Sequence, residues 1–201
     1  MCLLIETLRI ENKTLQNIDY HNRRFNLARK NLFGINIDLS LADYINLNSI
    51  KGNGIYKCRI VYNKEIKKID ITPYTPKPLK TLQLVICDTI EYGYKYENRT
   101  TLNQLRNTAK ADDVLIVKNG QITDLSFANI VFFTSTNEAF TPLNPLLKGT
   151  MRAYLLDQKV IKERIIKVSD LHLFNRVKPI NAMLDFEKTP FINMKNIYQA
   201  H

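Results

Sequence analysis

The sequence predicts an α+β fold with largely antiparallel pairing, and three observations carry that prediction. Runs rich in β-branched and aromatic residues come in closely spaced pairs, as in YKCRIVY and EIKKIDI on either side of Asn63-Lys64. Helical patterns are few and short. No Rossmann or Walker glycine loop and no fixed-period repeat is present.

Residues 2–10 read as a Leu- and Ile-rich strand, with Glu11-Asn12-Lys13 as turn material. Asp19 can cap a helix through NRRFNLARKNLF, which Gly34 would end. Arg23, Arg24, Arg29 and Lys30 load that helix with positive charge, the usual mark of a solvated face. A second short helix is predicted from Ser40 to about Leu47, followed by the hairpin around Asn63-Lys64. Pro73, Pro76 and Pro78 then read as a link between two lobes, a small α+β lobe at 1–76 and a larger one at 77–201. In the second, LKTLQLVI is a strand and 99–109 a helix. VLIV and the segment from Ile122 form a hairpin around Lys118-Asn119-Gly120, ANIVFFT is a buried strand, MRAYLLDQKV a helix and KPINAMLDF a final strand.

Composition narrows the function. The chain has 201 residues, 45% apolar and 24% charged, with 6 Gly and 7 Pro, which argues for a folded globular protein. Lys and Arg total 29 against 19 acidic residues, a net +10 that suits an anionic partner. Cys2, Cys58 and Cys87 are odd in number and widely spaced, with no neighbouring His cluster, so neither a disulfide framework nor a metal site is expected. No stretch approaches the ~20 apolar residues of a membrane span, and the start lacks a signal peptide's basic region. The expected setting is cytoplasmic.

Several residues could carry chemistry. Lys95 follows an apolar strand and Tyr92-Gly93-Tyr94, and aromatic neighbours that desolvate a lysine make it a candidate Schiff-base amine; a solvated surface lysine is the plain alternative. Asp124, beside FANIVFF, could meet a protonated ring nitrogen at low dielectric, or simply cap a turn. Asn129 could equally tie down its own backbone. Gly149-Thr150-Met151-Arg152 opens a helix, whose first amides form a ready anion site, and Arg24 could join them. His21 reads as a helix residue rather than a base. No nucleophile, H-E-x-x-H or EF-hand signature is present.

In their order these segments resemble the class IV pyridoxal-phosphate enzymes, which include branched-chain aminotransferase, D-amino acid aminotransferase and aminodeoxychorismate lyase. The likeness runs through IETLRI, H-x-x-R at His21 to Arg24, K-Y-E-N-R at Lys95 to Arg99, GQITDLSFANI at Gly120 to Ile130, Thr141-Pro142, LLKGTMR at Leu146 to Arg152, and on to INAML. It implies a two-lobed, D-amino acid aminotransferase-like fold with the site in the cleft, a homodimer, and pyridoxal 5'-phosphate as cofactor. Lys95 would be the Schiff-base lysine and move the proton at the substrate α-carbon, and Asp124 would pair with the pyridinium nitrogen. Arg24 and the amides of Thr150 and Met151 would hold the phosphate. Asn129 would shape the wall near Asp124, Asn181 and Ala182 would fall where the last strand passes the cofactor, with Asn181 a phosphate or substrate contact, and Arg59 or Arg99 could bind a substrate carboxylate. The pattern departs from the family where Asp124 replaces the more familiar glutamate, where Met151 replaces a common threonine, and in its short length.

K-x-x-N-R and G-T-M-R favour an aminodeoxychorismate lyase-like enzyme, which releases 4-aminobenzoate and pyruvate, with an amino acid aminotransferase as the alternative. A basic nucleic-acid-binding protein is more remote, because the basic residues are spread out and no RNA-recognition, KH or zinc-finger signature is present. The expected partner is a small amino or carboxylate substrate, with no nucleic acid and no membrane.

Overall fold

A computed structural model describes residues 2–199. They fall into two compact units. The first runs to Pro76 and takes back Tyr94–Asn98; the second holds Lys77–Gly93 and the chain from Arg99 onward.

The first unit is an antiparallel sheet of order β2-β1-β3-β4, made of β1 (Leu4–Glu11), β2 (Thr14–Leu15), β3 (Ile55–Tyr62) and β4 (Ile66–Pro73). Strand alternation sends Leu4, Leu8 and Ile10 of β1 and Cys58, Ile60 and Tyr62 of β3 to one face, where they meet Phe25 and Ala28 of α1 (Ile18–Phe33). The Phe25 and Tyr62 rings lie 4.5 Å apart. Helix α1 starts differently from the expectation. Asn17, in the left-handed region at φ 52°, is the N-cap residue, and Asp19 falls in the first turn, where its charge meets the helix dipole. Gly34, at φ 70°, ends the helix as expected, its amide donating to the Lys30 carbonyl. Arg29 is not on a solvated face: it is buried and donates to the Lys64 and Ile37 carbonyls. The single helix expected near 40–47 is two 3-10 turns, Leu41–Tyr44 and Leu47–Ser49, separated by extended Ile45 and Asn46.

Residues 94–98 join this unit through β1. Leu4 and Tyr96 form an antiparallel bridge, the Ile5 amide donates to the Lys95 carbonyl at 2.9 Å, and the Glu97 amide donates to the Leu3 carbonyl. Lys95 therefore lies in a bridging segment beside β1, eight or more residues beyond the strand it was expected to follow.

The second unit packs two sheets. One, of order β13-β5-β6-β7, contains β5 (Leu82–Ile86), β6 (Asp113–Lys118), β7 (Gln121–Leu125) and β13 (Ile197–Gln199). The other, of order β10-β9-β8-β11-β12, contains β8 (Asn129–Phe133), β9 (Ala139–Pro142), β10 (Lys162–Arg164), β11 (Arg176–Ile180) and β12 (Ile192–Asn193). Their helices are α2 (Thr100–Thr108) and α3 (Thr150–Asp157). Strand β8 is buried on both faces: Ile130 and Phe132 enter the core between the sheets, and Val131 and Phe133 meet Met151 and Leu155 of α3. A strand covered on both sides reads as an unbroken apolar run. The hairpin β6–β7 turns through Asn119 and Gly120, both at positive φ. The expected last strand is shorter than KPINAMLDF, because the Asn181 side chain accepts from the Met183 amide at 2.8 Å and turns the chain after Ile180.

Candidate active site

In the second unit, β7 delivers Asp124 into the interior and β8 begins with Asn129. The Asn129 Nδ2 donates to Asp124 Oδ1 at 2.7 Å and to the Leu147 carbonyl at 2.8 Å, and the Leu147 amide donates to Asp124 Oδ2 at 2.9 Å. Burial pushes the Asp124 carboxyl up to about 6, against the opposing pull of these hydrogen bonds and of Arg152. The Leu146 backbone also contributes, and the two carboxylate oxygens, with about four lone-pair sites between them, retain acceptor capacity for a further donor.

Gly149 caps α3 with an extended backbone, and a β-carbon on it would lie 2.0 Å from Asn129 Oδ1. Only hydrogen fits there. Thr150 and Met151 follow as the first residues of α3, with their amides directed out of its N-terminus; the Met151 side chain is spent in the core against Val131 and Phe133. Arg152, almost fully buried, donates to the Pro142 carbonyl and pairs with Glu163.

The turn joining Asp124 to Asn129 is held from two sides. Arg99 Nη2 donates to the Ser126 carbonyl at 2.6 Å, and Asn181 Nδ2 reaches the Phe127 carbonyl at 3.4 Å. Ala182, half-buried, lies in the turn beyond Asn181.

In the first unit the fully buried Glu6 organises a second cluster. Its carboxylate accepts Nε and Nη2 of Arg24 at 2.8 and 2.6 Å and Nδ1 of His21 at 2.6 Å. Burial alone would raise the Glu6 carboxyl, but Arg24 and His21 outweigh it and hold it at about 2. Burial also lowers the His21 imidazole, so at neutral pH it is the neutral Nδ1–H donor. Lys95 is half-buried beside β1, and Arg59 of β3 pairs with Glu97 at 2.9 Å.

Residues 3–186 match the family model for amino-transferase class IV. The chain belongs to that family. An uncharacterised relative from Haemophilus influenzae is 39% identical over 184 residues, covering 90% of this chain and 97% of its own. A crystal structure from Haemophilus somnus, provisionally named a 4-amino-4-deoxychorismate lyase, is 35% identical with a TM-score of 0.83, covering 91% of this chain and 97% of that one. The modest length is thus shared with that relative. A provisionally named amino-acid aminotransferase structure from Mesorhizobium loti, 21% identical, covers both chains fully at a TM-score of 0.79 and shows the same fold. The protein is therefore a pyridoxal-phosphate-dependent enzyme of class IV, acting on small molecules. Among the described residues no helix is long and apolar enough to cross a membrane.

The residues present suit that class IV cofactor. Asp124 is a buried carboxylate with acceptor capacity left for a protonated ring nitrogen, and the α3 N-terminus could receive a phosphate. Glu6, the Leu147 amide and the space requirement at Gly149 are not singled out by the sequence, and His21, expected as a plain helix residue, is a partner of Glu6. Glu6 did leave a signal: it shares the inward parity of Leu4 and Leu8, and a carboxylate on the apolar side of a strand needs a partner.

Proposed function

We propose that this enzyme is aminodeoxychorismate lyase-like, releasing 4-aminobenzoate and pyruvate from aminodeoxychorismate. The observation that carries the reading is the 35% identity, spread over nearly the whole of both chains, with the Haemophilus somnus protein that bears this name. The K-x-x-N-R run at Lys95 to Arg99 and the G-T-M-R turn at Gly149 to Arg152 support it.

When bound, pyridoxal phosphate supplies an electron sink for charge developing at the substrate α-carbon. Lys95 contributes the amine that holds the cofactor and then moves the proton at that carbon. Asp124, kept in place by Asn129 and Leu147, accepts from the ring nitrogen and keeps it protonated. The amides of Thr150 and Met151 would hold the cofactor phosphate, and the family resemblance gives the same role to Arg24, whose guanidinium Glu6 orients by a bidentate pair. Asn181, with Ala182 beyond it, steadies the turn that carries Asp124. Arg59 would bind a substrate carboxylate in place of Glu97, its partner in the structure, and Arg99, which donates to the Ser126 carbonyl, is the alternative. The enzyme works as a cytoplasmic homodimer.

The test supplies aminodeoxychorismate to the loaded enzyme with no oxo-acid acceptor. Pyruvate and 4-aminobenzoate should appear in equal amounts. Amino transfer between ordinary amino and oxo acids, with no pyruvate from aminodeoxychorismate, contradicts the lyase and assigns the aminotransferase instead.

A further inference from the structure

The bridge between Leu4 and Tyr96 sets Lys95 and Glu97 beside the start of β1. In an antiparallel bridge the paired residues share a face and their neighbours take the other. Tyr96 packs with Leu4 on the α1 side of the sheet, and Glu97 reaches the opposite face, that of Ile5 and Thr7 of β1. Arg59 is on that face too. It stands across from Thr7 between the inward-facing Cys58 and Ile60, and its Nη2 lies 2.9 Å from Glu97 Oε1. The two side chains are each about one-third exposed, 32% for Arg59 and 34% for Glu97. An ion pair this open to solvent is held weakly and can be exchanged.

We propose that Glu97 is a specificity-determining residue, an internal carboxylate that occupies Arg59 until a substrate carboxylate displaces it. The inference rests on the reading of Lys95 as the cofactor lysine, two residues from Glu97, which puts the pair of Arg59 and Glu97 beside the substrate. A neutral or apolar substituent gains nothing by separating the pair, whereas a carboxylate replaces the bond that Glu97 gives up. The site thereby prefers substrates with an anionic group directed at Arg59, and the return of Glu97 assists product departure.

The probe is maleate, an unreactive dicarboxylate, titrated calorimetrically into the cofactor-loaded enzyme and into the unloaded chain. Wild type should bind it, Glu97→Gln and Glu97→Ala roughly threefold more tightly, and Arg59→Gln not measurably. Arg59→Gln/Glu97→Gln should be no better than Arg59→Gln alone. Unchanged or weaker binding in both Glu97 variants, no binding by wild type, or tighter binding that survives loss of Arg59 would overturn the proposal. Cofactor loading, read separately from visible absorbance, distinguishes the two readings: a chain that never loads contradicts the proposed function, and a loaded enzyme indifferent to Glu97 contradicts only the role of Glu97.

Discussion

Asn129 and Gly149 are in contact so close that a β-carbon on the glycine would sit 2.0 Å from Asn129 Oδ1. The backbone of Gly149, at φ −71° and ψ 150°, is open to any residue, so space and not conformation demands glycine. Gly149→Ala should fold but displace Asn129 from Asp124 and from the Leu147 carbonyl. Loss of these buried hydrogen bonds should cost about 1–3 kcal/mol and weaken cofactor binding at least tenfold. Thermal unfolding and a cofactor titration check both. Adding Asn129→Ser to Gly149→Ala should recover stability by relieving the clash, without recovering cofactor affinity.

Asp124 gives the cofactor equilibrium a pH dependence of known sign. Its carboxyl titrates at about 6 in the unliganded protein, and a cationic partner favours the ionised form. Affinity should therefore fall as pH drops through 6, by up to about tenfold per unit. The cofactor phosphate titrates in the same range. Asp124→Asn should lose only the part of the profile that belongs to the carboxylate, while Cα deprotonation slows steeply. Dissociation constants measured from pH 5 to 8 for both proteins decide the matter; identical profiles would remove the role assigned to Asp124.

Glu6 makes a prediction about stability. A carboxyl lowered from 4.5 to about 2 on folding contributes about 3 kcal/mol that is fully present above pH 4.5 and lost as pH falls toward 2. The buried neutral His21 acts in the same direction, since it protonates more readily in the unfolded chain. Glu6→Gln should be less stable at neutral pH by about 3 kcal/mol and should show a flatter loss between pH 4.5 and 2. Denaturant unfolding across that range measures it.

The elements legible in sequence are those with strong local signals. β1, the β3–β4 hairpin, the turn at Asn119-Gly120 and doubly covered β8 follow from alternation, turn chemistry and unbroken apolar character. Short edge strands such as β12 and β13 are set by long-range pairing and leave little local pattern. Asp124 stands out by its place beside FANIVFF and Asn129 as the polar residue within it, but their mutual hydrogen bond and the fit against Gly149 exist only once β7, β8 and α3 are assembled. The Glu6, His21 and Arg24 cluster spans 18 positions, so its charges balance across a strand and a helix and not along either. The same holds for Arg29, whose burial is invisible in a helix that also carries the exposed Arg23 and Lys30.

Reduction with borohydride shows which lysine carries the cofactor. The purified protein, incubated with pyridoxal phosphate, is treated with borohydride, digested and mapped by mass spectrometry. A pyridoxyl-phosphate adduct on the peptide containing Lys95, absent from Lys95→Ala together with the visible absorbance band and all activity, is the predicted result. An adduct at a different lysine, or none in a correctly folded protein, would contradict it.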